Sequence, residues 1–429
     1  MSDFPGKLIT KTPITTVGPT DGEGGSASGI WTISEAAAKK QQSLWPARTL
    51  SRFLYAWGGG TPVNGLNDAV SRSSPVQVGT EGTWQKIAIG WASAAAIKSD
   101  GTLWRWGSNG NGQLGINSTI DKSSPTQVGA LTNWANISTG SLGKDAFGAV
   151  KTDGTLWVMG LGSMMPDNTG VSKSSPVQIG SGTNWSNVFG SHGYGSPMGM
   201  WAIKTDGTLW GWGRRNNGSI GDGATNIGYQ SIPASSPIQI GTDTNWLKVC
   251  GGYYKGIALK TNGQVWGWGT GGNAASQTQT GINSNVPTQL GALSTWTDLA
   301  TGWNHAHIIN TAGELWGWGR NDSRYNANDG VLGDNSVTTR TSPVKIGTDT
   351  NWSRVFTGGY LTSSLFKRTN NTLWYSGGNG VSGNSNDPYT RVSSPVQIGN
   401  ASDWDVAGMN GTSGAFNEAV PTIIGTRKL

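Results

Sequence analysis

The chain is short of the residues that most protein chemistry uses. Its 429 residues include one cysteine, Cys250, and three histidines, and charged side chains make up only 13%. A single cysteine excludes an intrachain disulfide framework. His305 and His307, in "WNHAHII", are two apart and share one face of a strand. Two ligands without a third do not make a zinc site, so packing is their expected role. His192 lies in an insertion, "GSHGYGSPMGMW". No nucleophile elbow, phosphate loop or HExxH is present, so the expectation is a protein that is not an enzyme and holds no metal or cofactor. Asp222, Asp329 and Asp334 each adjoin a loop glycine, as turn residues do. No apolar run approaches the ~18 residues of a membrane helix, which argues against membrane insertion. The opening "MSDFPGKLIT" has no basic segment leading into an apolar core, so it reads as having no secretory signal. The net charge is +6. Lys and Arg are scattered, however, which gives no footprint for nucleic acid.

Glycine and tryptophan are abundant instead, at 68 and 23 residues. Glycine is about twice its usual ~7% share, a profile of short strands and tight turns rather than helices. The tryptophans recur in order. "KTDGTLWGWG" at 204 returns as "KSDGTLWRWG" at 98, "KTDGTLWVMG" at 151, "KTNGQVWGWG" at 260 and "NTAGELWGWG" at 310. It reads as one residue longer at 367, "KRTNNTLWYSG", and truncated at 53, "FLYAWG". A second mark, "SSPVQIG" or a variant, starts at 73, 123, 174, 235, 285, 341 and 393. A third is a lone tryptophan at 84, 134, 185, 246, 296, 352 and 404. Its spacings of 50, 51, 61, 50, 56 and 52 residues mark a repeat architecture.

One unit reads as four antiparallel strands. "WLKVCGG" and "GIALK" are followed by a "TNG" turn, then "QVWGWG", a polar loop and "VPTQLG". The proline suits an outer, edge strand. Four such strands make a propeller blade, and seven units make a seven-bladed, all-β propeller over residues 53–429. Eighteen of the 23 tryptophans hold repeat positions and are expected to pack the blades. Cys250 is expected to act as a small buried hydrophobe. The last unit has no "DGTLWGWG", and the truncated copy at 53 supplies the missing strand. Ring closure is therefore expected, with Phe53–Gly58 beside Ser413–Phe416.

These marks, with "NGQLG" at 111–115, "NGSIG" at 217–221 and "DGVLG" at 329–333, resemble the regulator of chromosome condensation repeat family, in particular its α-tubulin suppressor-like members. The resemblance spans about residues 53–418 and implies a seven-bladed propeller used as a binding platform. The turns between first and second strands carry Trp91, His192, Tyr194, Tyr253, Tyr254, Trp303, Asn304, His305, Tyr360 and Asn410. Aromatic residues gathered on one rim are a candidate contact surface. The polar loops at 214–233, 270–284, 320–340 and 377–392 are a second candidate surface.

Residues 1–30 read as an extended arm. Residues 31–52 read as a short attachment module, with Thr32 and Glu35 as a capping box and a helix from Ile33 to Leu44 ended by Pro46. Trp31, Ile33, Leu44 and Trp45 are its docking side chains. "GIWTISE…WP" is similar to a module near the N-termini of phage structural and tail proteins. That resemblance implies a virion component displayed on a tail, fibre or capsid. It would attach to other virion proteins through the N-terminal segment and bind a host cell-surface glycan or protein through the propeller. The alternative is a protein-binding regulator of exchange-factor or inhibitor type.

Overall fold

The computed structural model describes residues 8–10, 30–32 and 51–428, apart from 60–61, 69, 91, 139–145, 192–198, 225–231, 253, 271–282, 303, 322–329, 358–362, 379–391 and 410–421. Among these residues lie seven four-stranded antiparallel sheets, each with its strands in spatial order one to four. Blade one is Trp84–Ile89, Ser93–Lys98, Leu103–Gly107 and Lys122–Gln127. Blade two is Trp134–Ile137, Ala146–Lys151, Leu156–Gly160 and Lys173–Gln178. Blade three is Trp185–Gly190, Met200–Lys204, Leu209–Gly213 and Ala234–Gln239. Blade four is Trp246–Gly252, Lys255–Lys260, Val265–Thr270 and Asn283–Gln289. Blade five is Trp296–Thr301, His305–Asn310, Leu315–Gly319 and Arg340–Lys345. Blade six is Trp352–Thr357, Ser363–Arg368, Leu373–Gly377 and Val392–Gln397. Blade seven is Trp404–Met409, Thr422–Lys428, Arg52–Gly58 and Arg72–Gln77, so both ends of the chain share it. Each first strand lies against the first strand of the next blade, and that of blade seven lies against that of blade one. The wheel is closed, with the first strands innermost. No helix among the described residues is long and apolar enough to cross a membrane.

The repeated hairpin is an indole clamp. In blade two, the Lys151 ammonium sits 3.6 Å from the Trp157 ring and 5.0 Å from the Trp134 ring. The two indoles meet edge to face at 6.1 Å. Lys98, Lys204 and Lys260 take the same place in blades one, three and four. A cation held over ring faces keeps an electrostatic partner while its stem is buried. The aspartate and threonine of "DGT" complete the unit. Asp153 Oδ1 accepts from both the amide and the hydroxyl of Thr155, and Thr155 Oγ1 accepts the Trp157 indole N–H at 2.8 Å. The glycine is required for two reasons. Gly101 has φ +77, and a Cβ there would meet the Thr132 carbonyl of the next blade at 2.0 Å. That close approach lets Trp134 N–H donate to Gly101 O, so each turn holds the first strand of its neighbour.

Two details of the sequence reading change. Arg52–Gly58 pairs with Thr422–Lys428 on one side (Phe53 opposite Arg427, Trp57 opposite Ile423) and with Arg72–Gln77 on the other. Both edges are taken, so Ser413–Phe416 is not the partner. "TIIGTRK" is the strand instead, because it brings Arg427 over Tyr55 and Trp404, where the other blades place their lysine. In blade six the clamp cation is Arg368, opposite Trp352 in the ladder and 3.8 Å from the Trp374 ring. That copy therefore starts at 368 and is not longer than the others. Its Asn371 takes φ +60 where the others have glycine. Blade five lacks the cation, and Asn310 instead accepts from the Glu314 amide and donates to its carboxylate.

At the N-terminus, Leu8–Thr10 pairs antiparallel with Ile30–Thr32 in a short ladder. The helix expected over 33–44, with Ile33, Leu44 and Trp45, falls outside the described residues. The first propeller strand in the sequence begins at Arg52.

Closure by Arg52–Gly58 makes a direct prediction. Deleting residues 52–58 exposes the edges of Thr422–Lys428 and Arg72–Gln77 and removes Leu54 and Trp57 from the core. Its melting temperature is expected to fall far below that of a chain lacking residues 1–25. Equal melting temperatures by circular dichroism would rule the closure out.

Candidate protein-binding face

Strand direction alternates within each blade, so the connections from first to second strand and from third to fourth strand emerge on the same face. The two surfaces that the sequence offered as alternatives are thus one face. The Asp-Gly turns and the links to the next blade lie on the opposite face.

A buried asparagine organises the third-to-fourth loop. Asn109 Oδ1 accepts the Leu114 amide of "NGQLG", and its Nδ2 donates to the carbonyls of Ser118 and Ile120. Asn321 repeats this in blade five, accepting from Leu332 N–H and donating to Ser336 O and Asp334. The loop then hooks onto the next blade through an asparagine with positive φ. Asn117 N–H donates to Ser174 O at 2.7 Å. Asn67, Asn168 and Asn335 do the same to Ser123, Ser235 and Ser393. The serine of the "SSP" mark is therefore an inter-blade acceptor. An ion pair fixes the end of the loop. Asp68 meets Arg72 at 2.7 Å, Asp222 meets Arg215 at 2.6 Å, and Asp334 meets Arg340 at 2.7 Å. Burial pushes the Asp334 carboxyl up, but bonds from Ser336, Arg340 and Asn321 outweigh it and hold the group below its usual range. Asp222 and Asp334 are turn residues, as expected; Asp329 falls outside the described residues.

The loops so held present an aliphatic side chain just before the fourth strand. Val70, Ile120, Val171 and Ile232 each stand two residues before it and Val337 three, in blades seven, one, two, three and five. All five are exposed, Ile232 most of all at 73%. Single exposed aliphatics are ordinary, but five at equivalent positions form a crown around one face. The sequence reading missed it, although the signal is visible: the aliphatic comes five or six residues before the proline of the second mark.

The first-to-second turns behave differently. Tyr254 takes φ +57 and is buried, and Asn304 and His305 are buried as well. The remaining turn residues named from the sequence, Trp91, His192, Tyr194, Tyr253, Trp303, Tyr360 and Asn410, fall outside the described residues.

The histidine pair packs the seam between blades five and six. The rings meet edge to face at 5.6 Å, and His307 also meets Phe366 at 5.0 Å. His307 Nε2 lies 3.0 Å from the Leu332 carbonyl. A carbonyl can only accept, so Nε2 carries the proton and Nδ1 accepts from the Ser364 hydroxyl at 3.4 Å. His305 Nε2 lies 3.1 Å from the same hydroxyl. Burial drives His307 down to about 4, against smaller upward pushes from its bond to Leu332 and from Asp334. Among the described residues, no three His, Cys, Asp or Glu side chains come together as a metal site. The Cys250 thiol donates to Leu299 O across blades four and five, and burial raises its pKa to about 11.

The fold is thus a closed seven-bladed propeller assembled from tryptophan-clamped hairpins. Part of the chain is similar to the regulator of chromosome condensation repeat family: the family model "Regulator of chromosome condensation (RCC1) repeat" matches residues 100–142, and a second model of that description matches 84–113. No curated protein matches the chain in sequence. Solved structures share the fold. Human WBSCR16 superposes with a TM-score of 0.69 at 17% identity, covering 88% of this chain and 100% of its own. Prp20p of Saccharomyces cerevisiae gives 0.66 at 15% identity, covering 89% and 92%. Yeast RCC1 (Prp20) bound to Kap60 gives 0.67 at 16% identity, covering 89% and 90%.

The neutral, buried His307 sets a pH dependence. Its folded pKa lies below the ordinary 6.5, so the unfolded chain takes up its proton first as pH falls. The stabilisation is complete above pH 6.5 and is lost between there and about pH 4, on the order of 3 kcal/mol in all. Denaturant midpoints of the native chain and of His307→Gln should diverge at neutral pH and converge towards pH 4. A constant gap between them would exclude this role.

Proposed function

We propose that this chain is a non-catalytic, protein-binding scaffold that docks its partner on the face carrying the aliphatic crown. The observation that carries the reading is the exposure of Val70, Ile120, Val171, Ile232 and Val337 at equivalent points of one face. Burying apolar area is the main favourable term in protein association, and spaced anchors on a rigid frame keep the entropic penalty of binding low. The fold supports the same reading by analogy. Prp20p was described with its binding to Gsp1p and histones, and in another structure with Kap60 bound. On this reading the turn residues Trp91, His192, Tyr194, Tyr253, Trp303 and Tyr360 belong to connections on the crown's face and add to the contact.

A second reading, a virion component attached through Trp31, Ile33, Leu44 and Trp45, has the support of the N-terminal resemblance alone. It uses the same face, with a host-surface glycan or protein as partner. Mass spectrometry of purified particles would distinguish the two.

Photo-crosslinking tests the docking face. A photoreactive residue at Ile120, Val171 or Ile232 should give adducts with one common protein in extracts of the cells that make this chain. The same residue at Leu131 or Leu293, exposed on the opposite face, should give none. Adducts from Leu131 and Leu293 alone would overturn the assignment.

A further inference from the structure

Other buried or half-buried cations have partners around them. Lys98, Lys151, Lys204 and Lys260 rest on indole rings. Lys248 pairs with Asp298 at 2.7 Å. Arg105 stacks on Phe147 and donates to Ala94 O and Ser93 Oγ. Lys255, the first residue of the second strand of blade four, is only 1% exposed, and its Nζ has no hydrogen-bond partner. Burial lowers its pKa to about 7.

Two more unpartnered polar atoms lie across the seam in blade five. Thr301 is 1% exposed and Asn304 3%, and neither Thr301 Oγ1 nor Asn304 Oδ1 has a partner. The backbone brings the residues that carry these groups together at the seam. Lys255 pairs with Gly252 across the ladder, and a Cβ on Gly252 would meet Lys255 Cε at 2.5 Å and the Gly302 carbonyl at 3.0 Å. The lysine stem thus lies over a residue that has no side chain, facing Gly302. Thr301 precedes Gly302, and the Thr301 amide is bonded to the sulfur of Cys250 in blade four. Asn304 follows two residues after Gly302.

Buried polar groups in folded proteins are nearly always satisfied, and a site where three are not has room in its chemistry for a ligand. An ammonium and a hydroxyl offer protons, and the Asn304 carbonyl accepts one. We infer that the seam between blades four and five binds a small oxyanion of the hydrogen phosphate type, held by Lys255 and Thr301 and donating its own proton to Asn304. The anion could be free or borne by a bound molecule as a phosphoryl or carboxylate group. The inference is independent of what docks on the crown.

The test is thermal unfolding of the full chain at neutral pH in potassium phosphate, in potassium acetate and in potassium chloride of equal ionic strength. Phosphate should raise the melting temperature of the native chain by several degrees over chloride. Lys255→Met should lose that gain. In chloride it should melt at or above the native chain, because an uncompensated buried cation has been removed. Thr301→Val should keep the fold and weaken the phosphate effect. An equal rise with acetate assigns the site to carboxylates as well as phosphoryl groups, and no rise with acetate assigns it to phosphoryl groups. If Lys255→Met fails to fold, the readout is the titration of Lys255 in 13C-lysine-labelled native protein, whose midpoint phosphate should move upward. An identical phosphate gain in the native chain and Lys255→Met, or an unmoved Lys255 midpoint, would overturn the site.

Discussion

The wheel depends on one short contact, in which the turn of each of blades one to six touches the first strand of the next. A carbonyl from the Asp-Gly turn accepts the N–H of the neighbour's lone tryptophan, as Gly154 does for Trp185 and Gly207 for Trp246. In the glycine turns the contact leaves no room for a Cβ, and every copy takes positive φ, which Asn371 adopts in blade six. The other rim is tied in the same manner by asparagines such as Asn117 and Asn168, again in the left-handed region. Blade-to-blade order therefore lies in backbone hydrogen bonds at both rims, and the indoles fill the space between. Polar side chains reinforce the hub. Lys248 reaches Asp298, whose second oxygen accepts the Val355 amide, so one carboxylate links three consecutive first strands.

The blade count, the strand order and the shared final blade were legible in the sequence, because each rests on local chemistry that recurs at a fixed spacing. Trp84 and its six counterparts could be counted without knowing what they touch. The closing strand Thr422–Lys428 was not legible, since no Asp-Gly turn follows it and its partner lies some 370 residues away in the chain. The clamp cation of blade six was hidden by a neighbour: Lys367 and Arg368 are adjacent, and only the ladder shows that Arg368 faces Trp352.

The candidate site was legible in part. The sequence located the connections that carry it, but treated turns and loops as rival surfaces, because strand polarity becomes decisive only when four strands are set side by side. It favoured aromatic residues as contacts. Of those, Tyr254 is turned inward, and His305 serves a seam with His307 and Ser364. The exposed aliphatics escaped notice because each is one ordinary residue in a polar loop, and they form a pattern only when the blades are superposed. Lys255 escaped because its sequence neighbourhood, "YYKGIALK", looks like any other second strand.

The shared seventh blade also bears on how this protein is made. Arg52–Gly58 leaves the ribosome some 370 residues ahead of its partner Thr422–Lys428. At about 5–20 residues per second, the first strand waits tens of seconds with an unsatisfied edge. Blades one to six can assemble meanwhile, each on its predecessor, but the circle shuts only once Thr422–Lys428 has emerged. A nascent chain stalled short of residue 422 would carry an open, sticky margin, the kind of surface that chaperones cover and that truncated products aggregate through.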